Sequence, residues 1–154
     1  MDDNVFTSAV FYRDQKAALA WLSEAFGFET TMAIEGPPDS PEMSHYEMAA
    51  PSGGRIMIGG QWADWTRSPA GLDGANTQSV HVMLASGLDA HCERARAAGA
   101  VIAAEPAEQF YGDRIYRAID PEGHCWTFAQ HVRDVTRAEA EAAIGQPITS
   151  STWE

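Results

Sequence analysis

Along this chain, two-residue hydrophobic alternation gives way to a helical stripe and then returns, and the succession occurs twice. Residues 5–12 alternate weakly and are rich in β-forming side chains, which predicts a strand. Asp14 offers a carboxylate to the free amides of a helix start. Over residues 16–26, Leu19, Leu22 and Phe26 share one stripe, with Ala18 and Ala25 beside it. Gly27 stops that helix. Residues 28–35 read as a strand and the proline-rich 36–41 as a loop. Residues 45–50 and 55–59 read as two strands joined by Pro51-Ser52-Gly53-Gly54.

The second succession follows a connector, residues 61–77, that holds Pro69, Gly71, Gly74 and Asn76. Val80, Val82 and Leu84 alternate as a strand. Ser86 and Asp89 have capping-box spacing, and Leu88, Cys92 and Ala95 share a helical stripe that Gly99 ends. Residues 101–104 read as a strand and 105–112 as a loop. Residues 115–119 and 125–129 flank Asp120-Pro121-Glu122-Gly123, where Pro121 presets a turn and Gly123 can take positive φ, so this is a β-hairpin. Gly27 pairs with Gly99, and Gly53 with Gly123, at a nearly constant offset. Identity between the halves is poor, so the repeat rests on element order and turn chemistry. Thr136 and Glu139 form a second capping-box candidate, 138–144 favours helix, and Gly145 with Pro147 ends it. Residues 133–154 are therefore set apart as a C-terminal helix and tail.

Residues 112–131 read GDRIYRAIDPEGHCWTFAQH. Gly112-Asp113-Arg114, Tyr116, the run from Asp120 to His124, Trp126 and Phe128 together resemble the closing hairpin of the glyoxalase / bleomycin-resistance / dioxygenase superfamily, the vicinal oxygen chelate proteins. The resemblance implies an α+β fold. Two βαβββ modules, here 5–60 and 78–132, form an open, barrel-like curved sheet with helices outside and a small-molecule trough inside. Residues 1–132 would make up that domain. A homodimer is implied too, because the superfamily commonly dimerises across such sheets.

In metal-dependent members, one ligand lies at the start of each module's first strand, usually His. The other lies four residues after each hairpin glycine, usually Glu. The positions here hold Thr7, Met57, Ser79 and Thr127, with the register at Ser79 open by one. None is a good ligand for a catalytic divalent ion, so no metal and no cofactor is expected. His45 and Glu47 share a strand face, and His81 has the parity of Ser79. A divergent metal-dependent lyase, isomerase or dioxygenase built on this trio is the alternative. His91 is expected to be exposed, His124 to order the hairpin, and His131 to stand alone at a strand end.

Alternation puts Trp126 and Phe128 in the core and turns Thr7, Ala9, Phe11, Arg55, Met57, Ser79, His81, Met83, Cys125 and Thr127 to the trough. Trp62 and Trp65, three residues apart in the connector, either stack on a flat or cationic ligand or cover a sheet edge or a subunit contact. The ligand-binding candidates are Thr7, Phe11, Arg55, Met57, Trp62, Trp65, Ser79, His81, Cys125 and Thr127. Without a metal, His81 is the candidate catalytic base, with Cys125 as nucleophile or Arg55 as electrostatic aid. Arg114 either pins its loop by an ion pair or holds an anion.

Composition narrows the partners. A net charge of −12 repels phosphates and argues against nucleic acid. It suits a cationic ligand, or simply solubility. No run of about 20 apolar residues spans a membrane. Met1-Asp2-Asp3-Asn4 lacks the basic-then-apolar order of a secretion signal, so a cytoplasmic protein is expected. Cys92 and Cys125, the two cysteines, form no CxxC pair and are expected to stay reduced. The function expected is metal-independent binding of a small aromatic or cationic molecule, with antibiotic sequestration as one role. A catalytic reaction and a structural role with a vestigial trough are the rivals.

Overall fold

The computed structural model describes residues 6–154. Val5, where the first strand was expected to start, and the acidic lead before it lie outside the described residues. In chain order the elements are β1 (Ser8–Tyr12), α1 (Gln15–Phe26), β2 (Glu29–Ile34), β3 (His45–Ala49), β4 (Arg55–Gly60), β5 (Val80–Met83), α2 (Leu88–Ala97), β6 (Val101–Glu108), β7 (Asp113–Ile119), β8 (Cys125–His131) and α3 (Arg137–Ile144). Pro41–Met43 and Pro69–Gly71 form single 3₁₀ turns. The strands build two four-stranded mixed sheets, ordered β1-β4-β3-β2 and β5-β8-β7-β6. In each, the module's first and last strands pair in parallel and the others antiparallel. These are the paired βαβββ modules that the sequence implied, and the two sheets do not close into a barrel.

One hydrophobic core serves both modules. Leu22, Ala25 and Phe26 enter it from α1, Leu88, Cys92 and Ala95 from α2, and Trp126 and Phe128 from β8. The Phe26 ring centroid lies 4.7 Å from Phe128 and 5.6 Å from Trp126. Asp14 caps α1 by accepting from the Ala17 amide at 3.0 Å, and Gly27 ends it at φ 72°.

β1 and β5 face each other as edge strands without ladder pairing. Gln78 Nε2 donates to the Ala9 carbonyl across that seam, and Ser52 Oγ donates to the Met83 carbonyl. In the interior Tyr12 donates to Asp120 Oδ2 at 2.6 Å, and at the surface Glu122 accepts from the backbone amides of Arg13 and Asp14 at 2.7 and 3.1 Å.

Several local expectations change. The Ser86–Asp89 capping box does not form, because Asp89 pairs with Arg114 at 2.8 Å. The cap of α2 is instead Gly87 at φ 75°, and the Leu88 amide donates to Gln130 Oε1. β6 continues past Ala104 to Glu108. It is an edge strand, and register shifts on both sides of Ala104 accommodate Pro106. His91 is half-buried rather than exposed, bonded to Tyr116 Oη at 2.6 Å and the Phe26 carbonyl at 3.1 Å. His131 does not stand alone, since its ring nitrogens lie 2.9 Å from Asp113 and 2.8 Å from Asp134. The Thr136–Glu139 capping box does form. Beyond it the tail folds back, with Trp153 Nε1 donating to the Val135 carbonyl at 2.7 Å.

Candidate functional site

Each sheet turns one face to the core under α1 and α2, and strand alternation sends the other face away from both helices. On that second face of the first sheet, Ala9 (β1), Met57 (β4), Glu47 (β3) and Met32 (β2) are cross-strand neighbours in one row. Phe11, Gly59, His45 and Ile34 form the next. On the second sheet the corresponding rows are His81–Thr127–Arg117–Ala104 and Met83–Ala129–Ile115–Ala107. Cys125 lies opposite Ile119, one row further along. Met32, Ile34 and Met83 are exposed, so the face is apolar with a few polar tips.

Glu47 is the acid at the centre of the first sheet's face. It is 7% exposed, and its carboxylate lies 3.3 Å from His45 Nε2 and 3.5 Å from Arg55 Nη1. The Arg55 guanidinium offsets the loss of hydration that burial imposes on a carboxylate. On the second sheet, exposed Arg117 donates from Nε to Thr127 Oγ1 at 3.3 Å.

A cleft of about 300 Å³ opens along the unpaired seam between β1 and β5. Arg55, His81, Met83, Phe6 and Ser8 line it, with Phe28 and Trp126 at its floor. This sits at the small end of the range for organic-ligand pockets. A second hollow of about 290 Å³ lies further along the seam, lined by Phe11, Trp65, Arg67 and His124 among others.

The ten ligand-binding candidates therefore divide. Arg55 and His81 meet at the seam cleft. Thr127 stands beside His81, and Met57 lies in the row of Glu47. Phe11 and Trp65 share the second hollow. Trp62 packs edge-on against Trp65, with centroids 4.8 Å apart, and does not line that hollow. Thr7 and Ser79 precede β1 and β5, so the neighbour of Thr127 in β5 is His81 and not Ser79. Cys125 is a half-buried free thiol.

The divalent-metal positions do not fit a metal. By register those positions are Ala9 beside Met57 and His81 beside Thr127, and of the four His81 alone offers a good donor to a divalent ion. The substitute trio is only partly assembled. His45 and Glu47 come together, but Arg55 also holds Glu47, and His81 belongs to the other sheet. Among the described residues, no group of three or more His, Cys, Asp or Glu side chains is arranged to hold an ion.

Arg117 is the residue that sequence reasoning missed. The signal was present. The Asp120–Gly123 turn sets Ile119 opposite Cys125, and counting back two residues puts Arg117 opposite Thr127.

The sequence profile of the Glyoxalase/Bleomycin resistance protein/Dioxygenase superfamily matches residues 5–128. Among curated proteins, an uncharacterized protein of Mycobacterium bovis is 34% identical over 88 residues, covering 57% of this chain and 54% of that one. One from Mycobacterium tuberculosis is 34% identical over 88 residues, covering 57% and 48%. The chain thus spans about half the length of the curated relatives it matches. Among solved structures, TioX from Micromonospora sp. ML1 superposes with a TM-score of 0.63 at 28% identity, covering 84% of this chain and 99% of TioX. The genomically encoded fosfomycin resistance protein FosX from Listeria monocytogenes gives 0.60 at 16% identity, covering 91% and 99%, a likeness of fold alone. With the profile match running from the first strand into the last, and two βαβββ modules built as its structural neighbours are, the chain belongs to the glyoxalase/bleomycin resistance protein/dioxygenase superfamily.

Proposed function

We propose that this chain binds a small organic molecule without a divalent metal, on the sheet face turned away from α1 and α2 and in the seam cleft that opens onto it. The observation that carries the reading is the composition of that face. It is apolar, carries a few polar tips, and leads into a cleft flanked by Arg55 and His81, while of the register-matched metal positions Ala9, Met57, His81 and Thr127 only His81 offers a metal donor. A flat aromatic body suits such a surface. Sequestering an antibiotic is the role this supports most directly, and FosX, a resistance protein by name, has the same fold. The sequence also pointed to a cationic ligand, on the strength of net charge and the tryptophans. The tryptophans, however, lie away from the seam cleft, in the second hollow and beside it.

Dimerisation belongs to the same proposal. Every residue of edge strand β2 is exposed, and long exposed edges are normally covered. Light scattering behind size exclusion should give twice the chain mass.

Two measurements test the binding reading. Protein purified without chelator should contain far less than one equivalent of any divalent metal. A thermal-shift screen of aromatic compounds should find ligands that raise the melting temperature, since a ligand of the native state stabilises it by linkage. Stoichiometric nickel, zinc, iron or manganese, removed by chelation together with ligand binding, would overturn the proposal.

A further inference from the structure

The face turned away from α1 and α2 carries its charges differently on its two sheets. The central acid of the first sheet, Glu47, is already held by Arg55 and His45. On the second sheet the central charge is Arg117, and no carboxylate answers it among the described residues. Acids on the surrounding elements are engaged elsewhere. Glu105 of β6 holds Arg96 at 2.6 Å, Asp89 of α2 holds Arg114, and Asp113 of β7 holds His131. A guanidinium has five N–H donors, and Arg117 uses one, on Thr127.

Arg117, Thr127 and His81 are consecutive cross-strand neighbours on β7, β8 and β5. Neighbouring strands lie roughly 4.8 Å apart, so the three span about 10 Å, the length of a bicyclic aromatic acid. His81 stands at the cleft end of this row, and Arg117 at the far end. The row on one side holds Met83, Ala129 and Ile115, and the row on the other holds Cys125 and Ile119. A strip of hydrogen-bonding groups, free of acids, thus runs between two apolar borders and out from the cleft.

We infer that this strip selects an anionic ligand: Arg117, beside Thr127, grips the carboxylate or similar planar oxyanion of an aromatic molecule whose body lies toward His81, exposed Met83 and the seam. The inference rests on the binding reading above and narrows its ligand class. A guanidinium matches two carboxylate oxygens with two parallel N–H bonds, a geometry lysine cannot reproduce. On a chain of net charge −12, local complementarity at Arg117 then outweighs overall charge in choosing the ligand.

A matched pair of probes tests it. 2-Naphthoate and 2-naphthamide share a ring system and differ in charge. Each is titrated by calorimetry and amide NMR into the wild-type chain and into Arg117→Gln and Arg117→Lys. Arg117 is exposed, and circular dichroism verifies that both variants keep the fold. The wild type should bind naphthoate about tenfold tighter than naphthamide, as charge-assisted hydrogen bonds require. Arg117→Gln should abolish that preference and leave naphthamide unchanged, Arg117→Lys should keep part of it, and amide shifts should centre on Arg117, Thr127 and His81. Equal wild-type affinity for the two probes, a preference that survives Arg117→Gln, or shifts confined to Trp62 and Trp65 would overturn the anion strip and leave the binding proposal standing. Binding of neither probe would overturn both.

Discussion

Asp120 shows how much can depend on one carboxylate. It is 4% exposed, and it accepts from Tyr12 Oη at 2.6 Å, Trp126 Nε1 at 3.1 Å, and the Glu122 and His124 amides at 3.0 Å each. Tyr12 comes from the first module and the other three donors from the second. Replacing Asp120 by Ala strands these donors in or near the core, at a cost of roughly 3–5 kcal/mol. Asp120→Asn keeps one oxygen acceptor and should lose less, and urea denaturation separates the two. Two histidines titrate in opposite directions. The Phe26 carbonyl can only accept, so His91 Nε2 carries the proton and Nδ1 accepts from Tyr116. Burial holds the His91 pKa below its ordinary value, so stability is present above about pH 6.5 and declines as pH falls further. Hydrogen bonds to Asp113 and then Asp134 raise the His131 pKa, so its contribution is complete below about pH 6.5 and fades as pH rises through the elevated value. The midpoint should therefore fall on acidification in wild type and less so in His91→Gln. Relative to the intrinsic base-catalysed rate, amide protection in residues 132–154 should fall on the alkaline side, and His131→Ala should remove that fall in protection.

Among elements, the connection from β6 to β7 shows what sequence alone cannot weigh. Gly112 sits at φ 98°, and its carbonyl accepts from the Val132 and Arg133 amides at 3.0 and 3.1 Å. A Cβ there would run into the Arg133 carbonyl oxygen, so Gly112→Ala combines left-handed strain with a backbone clash and should cost roughly 2–4 kcal/mol. Gly53 has nearly the same φ, 99°, with nothing in the way of a Cβ. Gly53→Ala should therefore lose only about 1–2 kcal/mol, the strain by itself. Equal losses in thermal denaturation would remove the clash from the explanation. Both glycines look alike in the sequence, and so do the two capping boxes. In the Thr136–Glu139 box the Glu139 carboxylate turns back to accept from the Thr136 amide at 2.8 Å, whereas Arg114 draws Asp89 away from the Ser86 box. Alternation and turn chemistry made the strands legible, including the parity of His81 and Thr127. What they left out was set by tertiary neighbours: β6 running on past Pro106, the burial of His91 against Phe26 and Tyr116, and Arg117 reached only through the hairpin's register.

For the whole molecule, the repeat in the sequence suggests two units, and the core argues for one cooperative body. Phe26 and Phe28 of the first module pack on Trp126 and Phe128 of the second. Trp21 donates to the Ala98 carbonyl at 2.8 Å, and Arg94 donates to the carbonyls of Ser23 and Glu24 at the end of α1. A module of about half this chain, parted from that shared core, would expose its largest aromatics and bury too little surface to offset its chain entropy. Heating should thus give a single transition, with tryptophan fluorescence and far-ultraviolet dichroism coinciding and the calorimetric and van't Hoff enthalpies equal. Phe26→Ala should lower stability by about 3–5 kcal/mol without splitting that transition. Two resolved transitions, or a folded fragment ending in the connector, would mean that the modules are energetically separate. The distinction reaches function, because the seam cleft lies where the modules meet. A ligand seated there at a hundred times its dissociation constant adds about 2.7 kcal/mol to native stability. In a cooperative molecule that gain moves the one transition as a whole, and it moves it for every probe, including those reporting on α3 and the tail.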